Sequence, residues 1–125
     1  TNQRAELYSI FSAFKRIKLY VEEHKEIKEI HIYSDSQYSI NCLNVWYINW
    51  RKNDWKNYKG EDVANRKLIE ANLSIIEKIK NNGIKIIFNH VRSHTNKQDE
   101  LSINNDIVDK LANKQFFKKI KKIDN

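Results

Sequence analysis

Leu7, Ile10, Phe11, Phe14, Ile17 and Val21 recur at three- and four-residue steps. That spacing marks one face of a helix and predicts it from about Arg4 to Glu23. The period then shortens to two. Glu29-Ile30-His31-Ile32-Tyr33 alternates polar and apolar positions, which predicts a strand over 30–34. A helix is expected from Ser36 to about Val45 and a second close behind it, from Trp46 to Lys52. Residues 56–62 read as a polar loop. Asn65 or Arg66 then opens a helix carrying Leu68, Ile69, Leu73, Ile76 and Ile79 on one face. Asn81-Asn82-Gly83 ends it, because Asn and Gly tolerate the left-handed cap. A second strand follows over 84–91, with Ile84, Ile86 and Phe88 on one side. Ser93 to Ile103 is a polar loop. A last helix is expected from Asn104 or Asn105 to about Phe117, followed by a basic tail.

Strand, helices, strand is a crossover pattern, which calls for a parallel pair joined right-handedly. The expected class is therefore α/β. Two strands alone do not make a stable sheet, a hint that strands are missing from this stretch of sequence.

At 125 residues the chain is one domain at most. Its 23 Lys and Arg against 16 Asp and Glu give +7, a balance suited to a polyanionic partner or simply to solubility. Cys42 is the single cysteine, which excludes an internal disulfide and a cysteine-based metal site. No apolar stretch is long enough to span a membrane, and a signal peptide is not expected. An intracellular setting is expected, cytoplasm or nucleus.

Asp35 follows the first strand directly and precedes a helix. Carboxyl ends of strands are where open α/β sheets hold ligands. Asp35 could instead cap the helix, although Ser34 and Ser36 can do that too. Glu6, one turn into the first helix, suits the helix dipole there. Asp109 falls in the expected last helix, where a solvated face would explain it equally well. Together the three carboxylates offer hard oxygen ligands suited to Mg²⁺ or Mn²⁺. Trp46, Trp50 and Trp55 fall within ten residues, among Arg51, Lys52 and Lys56. A core-facing stripe and a stacking surface for a nucleic-acid strand both fit them.

Five segments in order resemble type 1 ribonuclease H. They are Thr1-Asn2-Gln3-Arg4-Ala5-Glu6, Ser34-Asp35-Ser36-Gln37-Tyr38, the Trp46 to Trp55 run, His90-Val91-Arg92-Ser93-His94, and Asn105 to Ala112. The resemblance covers residues 1–117 as a ribonuclease H domain and leaves 118–125 as a basic tail. It implies a mixed sheet flanked by helices. The family's first catalytic aspartate lies on a strand upstream of anything in this chain. The resemblance therefore implies a fragment missing the first three strands, with one edge of the 30–34 strand unpaired.

By resemblance, Glu6, Asp35 and Asp109 hold two Mg²⁺ or Mn²⁺ ions, and His94 assists proton transfer or product departure. Trp46 and Trp50, with Arg51 and Lys52, contact the DNA strand of an RNA/DNA hybrid, while Trp55 packs. Asn2 and Gln3 reach the minor groove, Gln37 lies near the scissile RNA, and Thr1 with Asn65 holds a DNA phosphate. Asn65 equally suits a helix N-cap. The implied function is endonucleolytic hydrolysis of the hybrid's RNA strand by a monomeric domain. A reverse-transcriptase ribonuclease H domain and a non-catalytic hybrid-binding module are the alternatives.

Overall fold

A computed structural model of the chain describes residues 2–91, together with the backbone of 106–110 and 116–122. Helix α1 (Asn2–Glu23) runs into strand β1 (Ile27–Ser34) through three residues. Helix α2 (Gln37–Asn41), a π-helical turn (Cys42–Trp46) and α3 (Tyr47–Lys52) follow. Then come α4 (Arg66–Lys80), β2 (Lys85–His90), β3 (Asp106–Lys110) and β4 (Phe116–Lys122).

The expected helical stripe is the core. Leu7, Ile10, Ala13, Phe14, Ile17 and Val21 of α1 are buried against Ile69, Leu73, Ile76 and Ile79 of α4, with Ile27, Ile30 and Ile32 of β1 in the same cluster. Each of these side chains larger than alanine contributes about 1.5–3 kcal/mol on burial. Polar Asn72 lies among them, fully buried, and ties the two helices. Its Nδ2 donates to the Leu7 carbonyl at 3.1 Å and to the Leu68 carbonyl at 3.0 Å. Helix α4 ends as its sequence predicts: Gly83 takes φ 81° and its N–H donates to the Lys80 carbonyl at 2.9 Å.

The parallel crossover pair is present, with Glu29 opposite Lys85 and Ser34 opposite His90. The sheet order is β2-β1-β4-β3, and β4 pairs antiparallel with both β1 and β3. The sheet is thus mixed.

Three expectations need correction. The edge of β1 expected to be unpaired is taken by β4 along nearly its whole length. The helix expected from Asn104 or Asn105 to Phe117 is not formed by the described residues of that range, 106–110 and 116–117. Asp106–Lys110 and Phe116–Lys122 are strands, and the latter includes most of the expected tail. A central strand with open N–H and C=O groups demands a partner, and the β-branched Ile107-Val108 and the aromatic Phe116-Phe117 suit strands well. Lastly, the two short helices expected over 36–52 form one continuous helical run, interrupted by a π turn rather than by a break. The loop from Ser93 to Ile103 lies outside the described residues.

Candidate active site and nucleic-acid interface

The three-residue link sends β1 back antiparallel to α1. From Glu23 back to Glu6 the helix rises about 26 Å, and from Ile27 to Asp35 the strand advances about 26 Å. The two carboxylates therefore lie at the same end of the helix–sheet layer. Glu6 is only 9% exposed and Asp35 is half-buried.

The turn carrying Asp35 is held from several sides. Ser36 N–H donates to Ser34 Oγ at 3.1 Å. Ser36 is the N-cap of α2, its Oγ accepting from the Ser39 N–H at 3.1 Å. Of the capping alternatives open in the sequence, Ser36 is thus the one realised. From β2, the Val91 N–H donates to the Ser34 carbonyl at 2.9 Å. His90 Nε2 lies 3.3 Å from the Asp35 carbonyl oxygen, to which the imidazole donates in its Nε2–H tautomer. His90, expected as a plain strand residue, thus braces the turn. Its position opposite Ser34 is the signal that a paired register would have supplied.

Asp109 lies on β3, opposite Lys118, which in turn stands opposite Ile32. Its backbone is two strands from β1, about 10 Å, and level with Ile32 rather than with Asp35. Among the described residues, no three His, Cys, Asp or Glu side chains gather closely enough to hold a metal ion. Glu6 and Asp35 fit a hard divalent cation by donor chemistry. Thr1 and His94 lie outside the described residues.

The three tryptophans form a stepped stack. Trp46 and Trp50 have ring centroids 5.8 Å apart, and Trp50 and Trp55 are 6.1 Å apart. Trp55 is 7% exposed and belongs to the core, while Trp46 is 38% exposed. Trp50 lies between, packed on the core from outside. Trp46 and Trp50 line a groove of about 740 Å³ with Asn49, Lys52, Asn53, Lys56, Asn57 and Tyr58. The aromatic-and-cation surface expected there is present. Arg51 is turned elsewhere: its guanidinium pairs with Glu77 of α4 at 3.0 Å and lies 5.0 Å from the Tyr47 ring centre.

Asn65 occupies the N-cap position of α4 but makes no capping bond with its side chain. Its backbone is left-handed at φ 63°, and its Nδ2 donates to the Tyr38 hydroxyl at 3.2 Å. Asn65 lines a second cavity, of about 430 Å³, with Arg4, Arg66 and Lys67. These cations share the lining with Asp62 at the spot where a phosphate contact is expected, and adjacency to Gln3 and Asn65 was their signal. Asn2, Gln3 and Gln37 are exposed, and Gln37 Nε2 donates to Asn41 Oδ1 at 3.0 Å.

A mixed sheet flanked by helices, with an acidic turn at the carboxyl end of its parallel pair, defines an α/β protein whose candidate site lies at that end. The family model described as RNase H matches residues 1–117, and the chain belongs to that family. The ribonuclease H of Syntrophomonas wolfei is 44% identical over 79 residues, covering 62% of this chain and 50% of that protein. The probable ribonuclease H of Acanthamoeba polyphaga mimivirus is 36% identical over 115 residues, 90% of this chain and 46% of that protein. Human ribonuclease H1 is 31% identical over 112 residues, 90% of this chain and 34% of that protein. The chain spans 50% and 46% of the first two of these relatives. No helix among the described residues is long and apolar enough to cross a membrane.

Proposed function

We propose that this chain hydrolyses the RNA strand of RNA/DNA hybrids, as a monomeric intracellular domain. The observation that carries the reading is Asp35 at the carboxyl end of β1, on a braced turn and at the same end as buried Glu6. Glu6 and Asp35 supply carboxylate oxygens to two Mg²⁺ or Mn²⁺ ions, with Asp109 as the third contributor named by the resemblance. Divalent ions, when bound, supply an activated water and neutralise charge at the scissile phosphate.

The chain's own residues do the rest. Glu6 orients the 2′-hydroxyl of the RNA, which selects RNA over DNA. Gln37, two residues beyond Asp35, contacts the RNA strand by its amide. Trp46, Trp50 and Lys52 hold the DNA strand in the groove, and Thr1, Asn2, Gln3 and Asn65 contact the hybrid's backbone and minor groove. Arg51 lends charge to that face even while paired with Glu77. His94 assists proton transfer or product departure. Groove shape and sugar chemistry carry recognition, so sequence specificity is low.

A second reading, a hybrid-binding module without cleavage, draws on the edge-strand position of Asp109. One experiment separates the two. A labelled RNA/DNA hybrid is incubated with the protein in Mg²⁺ and in Mn²⁺, with EDTA as control. Ion-dependent cleavage leaving 5′-phosphate ends supports the enzyme. Binding without cleavage supports the module, and absence of both binding and cleavage removes both readings.

A further inference from the structure

Tyr58 is the most exposed large hydrophobic side chain among the described residues, at 91%, and it has a fixed seat. It stands at the tip of a tight hairpin between Trp55 and Val63. Asn57 N–H donates to the Glu61 carbonyl at 2.8 Å, Gly60 N–H to the Asn57 carbonyl at 2.9 Å, and Val63 N–H to the Trp55 carbonyl at 3.0 Å. Asn57 Oδ1 accepts from both the Lys59 N–H, at 2.9 Å, and the Glu61 N–H, at 3.0 Å. Lys56 and Asp62 are ion-paired across the base. Gly60 takes φ 81°, which lets the tip turn tightly. Trp55 and Val63, both buried, anchor the hairpin to the core.

Exposed aromatic surface on a braced tip is available for contact at little ordering cost. Tyr58 shares the groove with Trp46 and Trp50, and the Lys59 ammonium lies 5.6 Å from its ring centre. In a duplex the base faces are covered by neighbouring bases. Aromatic rings on two sides of a groove lined with cations instead suit nucleotides whose bases are unstacked.

We propose that Tyr58 and Lys59, at the rim of the groove where Trp46 and Trp50 hold the hybrid's DNA strand, clasp the unpaired nucleic-acid segment that runs on from it, a single-stranded extension of the bound hybrid. Tyr58 stacks on a base and Lys59 meets the adjoining phosphate. This extends the hybrid reading to a second ligand at the groove, and it can fail independently of that reading.

The test is fluorescence anisotropy in Ca²⁺ with three labelled probes: a blunt RNA/DNA hybrid, the same hybrid with an oligothymidine extension of ~8 nucleotides, and free oligothymidine. The extension should tighten binding about 5-fold or more, as a stacked base does. Tyr58→Ala should abolish that gain while leaving blunt-hybrid affinity and melting temperature unchanged, because so exposed a side chain has no packing role. Tyr58→Phe should keep the gain. Lys59→Ala should reduce it at low salt only and lower the salt slope. Absence of any gain in the native protein overturns the proposal, as does equal weakening of blunt and extended probes by Tyr58→Ala. If the blunt hybrid is not bound at all, the hybrid reading fails. Free oligothymidine then decides the clasp: its binding, lost in Tyr58→Ala, upholds it, and absence of binding sinks it.

Discussion

Asn65 Nδ2 donates to the Tyr38 hydroxyl at 3.2 Å while its own backbone sits in the left-handed region at φ 63°. The bond joins the helix following the acidic turn to the start of α4. The Tyr38 ring also meets Trp46 edge-on, with centroids 6.0 Å apart. One tyrosine thereby touches the aromatic groove and the residue bordering the cationic cavity. Asn65→Ala loses the bond and leaves alanine in a conformation it resists, so it should destabilise by about 1–3 kcal/mol. Asn65→Gly loses the same bond but relaxes the backbone. It should therefore be more stable than Asn65→Ala, a ranking that chemical denaturation measures directly. The reverse order would show that the left-handed backbone carries no cost here.

Trp46 and Trp50 should separate binding from stability. Trp46 makes its contacts at the surface, so Trp46→Ala should weaken hybrid binding by about 1–3 kcal/mol with little change in melting temperature. Trp50 packs against the core as well as lining the groove. Trp50→Ala should cost both binding and stability. A loss of about 3–5 kcal/mol of stability with unchanged binding would mean that Trp50 is a core residue alone.

Cys42 is fully buried beside Tyr38, and burial pushes its thiol up to about 11 from 9.0. Burial raises the Tyr38 hydroxyl as well. A group whose folded pKa is raised favours the folded state while protonated. That preference is intact below the unfolded pKa and is lost as pH rises towards the folded one. Stability should thus be flat through neutral pH and fall from about pH 9 towards 11. Cys42→Ala should make the fall shallower, leaving the part due to Tyr38. In native protein at pH 8, a thiol reagent should label Cys42 only as fast as the protein opens. Rapid labelling would mean that the thiol is accessible.

The helical stripe of α1, the alternation of β1 and the Asn81-Asn82-Gly83 stop were legible because each is a local pattern set by backbone period or cap conformation. The acidic turn was legible because a strand end followed by a serine cap is local too. What escaped depends on distant partners. Nothing in Asp106 to Lys122 itself says that it pairs with an edge of β1, since Ile107, Val108 and Leu111 also suit a helix face. Exposure was equally hidden: Tyr58 and Trp55 are both aromatics near a turn, yet one is open to solvent and the other is core. The divided fate of Arg51 and Lys52 follows from Glu77, which lies 26 residues away from Arg51 in sequence.

Asp35→Asn tests the proposed chemistry most directly. The substitution keeps the volume and leaves in place the turn's hydrogen bonds through Ser34, Ser36, Val91 and the Asp35 carbonyl. It removes the negative charge that a hard cation requires. Cleavage of a hybrid in Mg²⁺ should fall by a factor of about 100 or more, on the scale of losing one group that stabilises transition-state charge. Hybrid affinity in Ca²⁺ and melting temperature should stay near native, because the groove and cavity lie on other residues. Glu6→Gln should behave similarly in cleavage, but with some change in stability because Glu6 is buried. Near-native cleavage by Asp35→Asn would remove Asp35 from the ion-binding role, and unfolding of that variant would show instead that its carboxylate holds the turn.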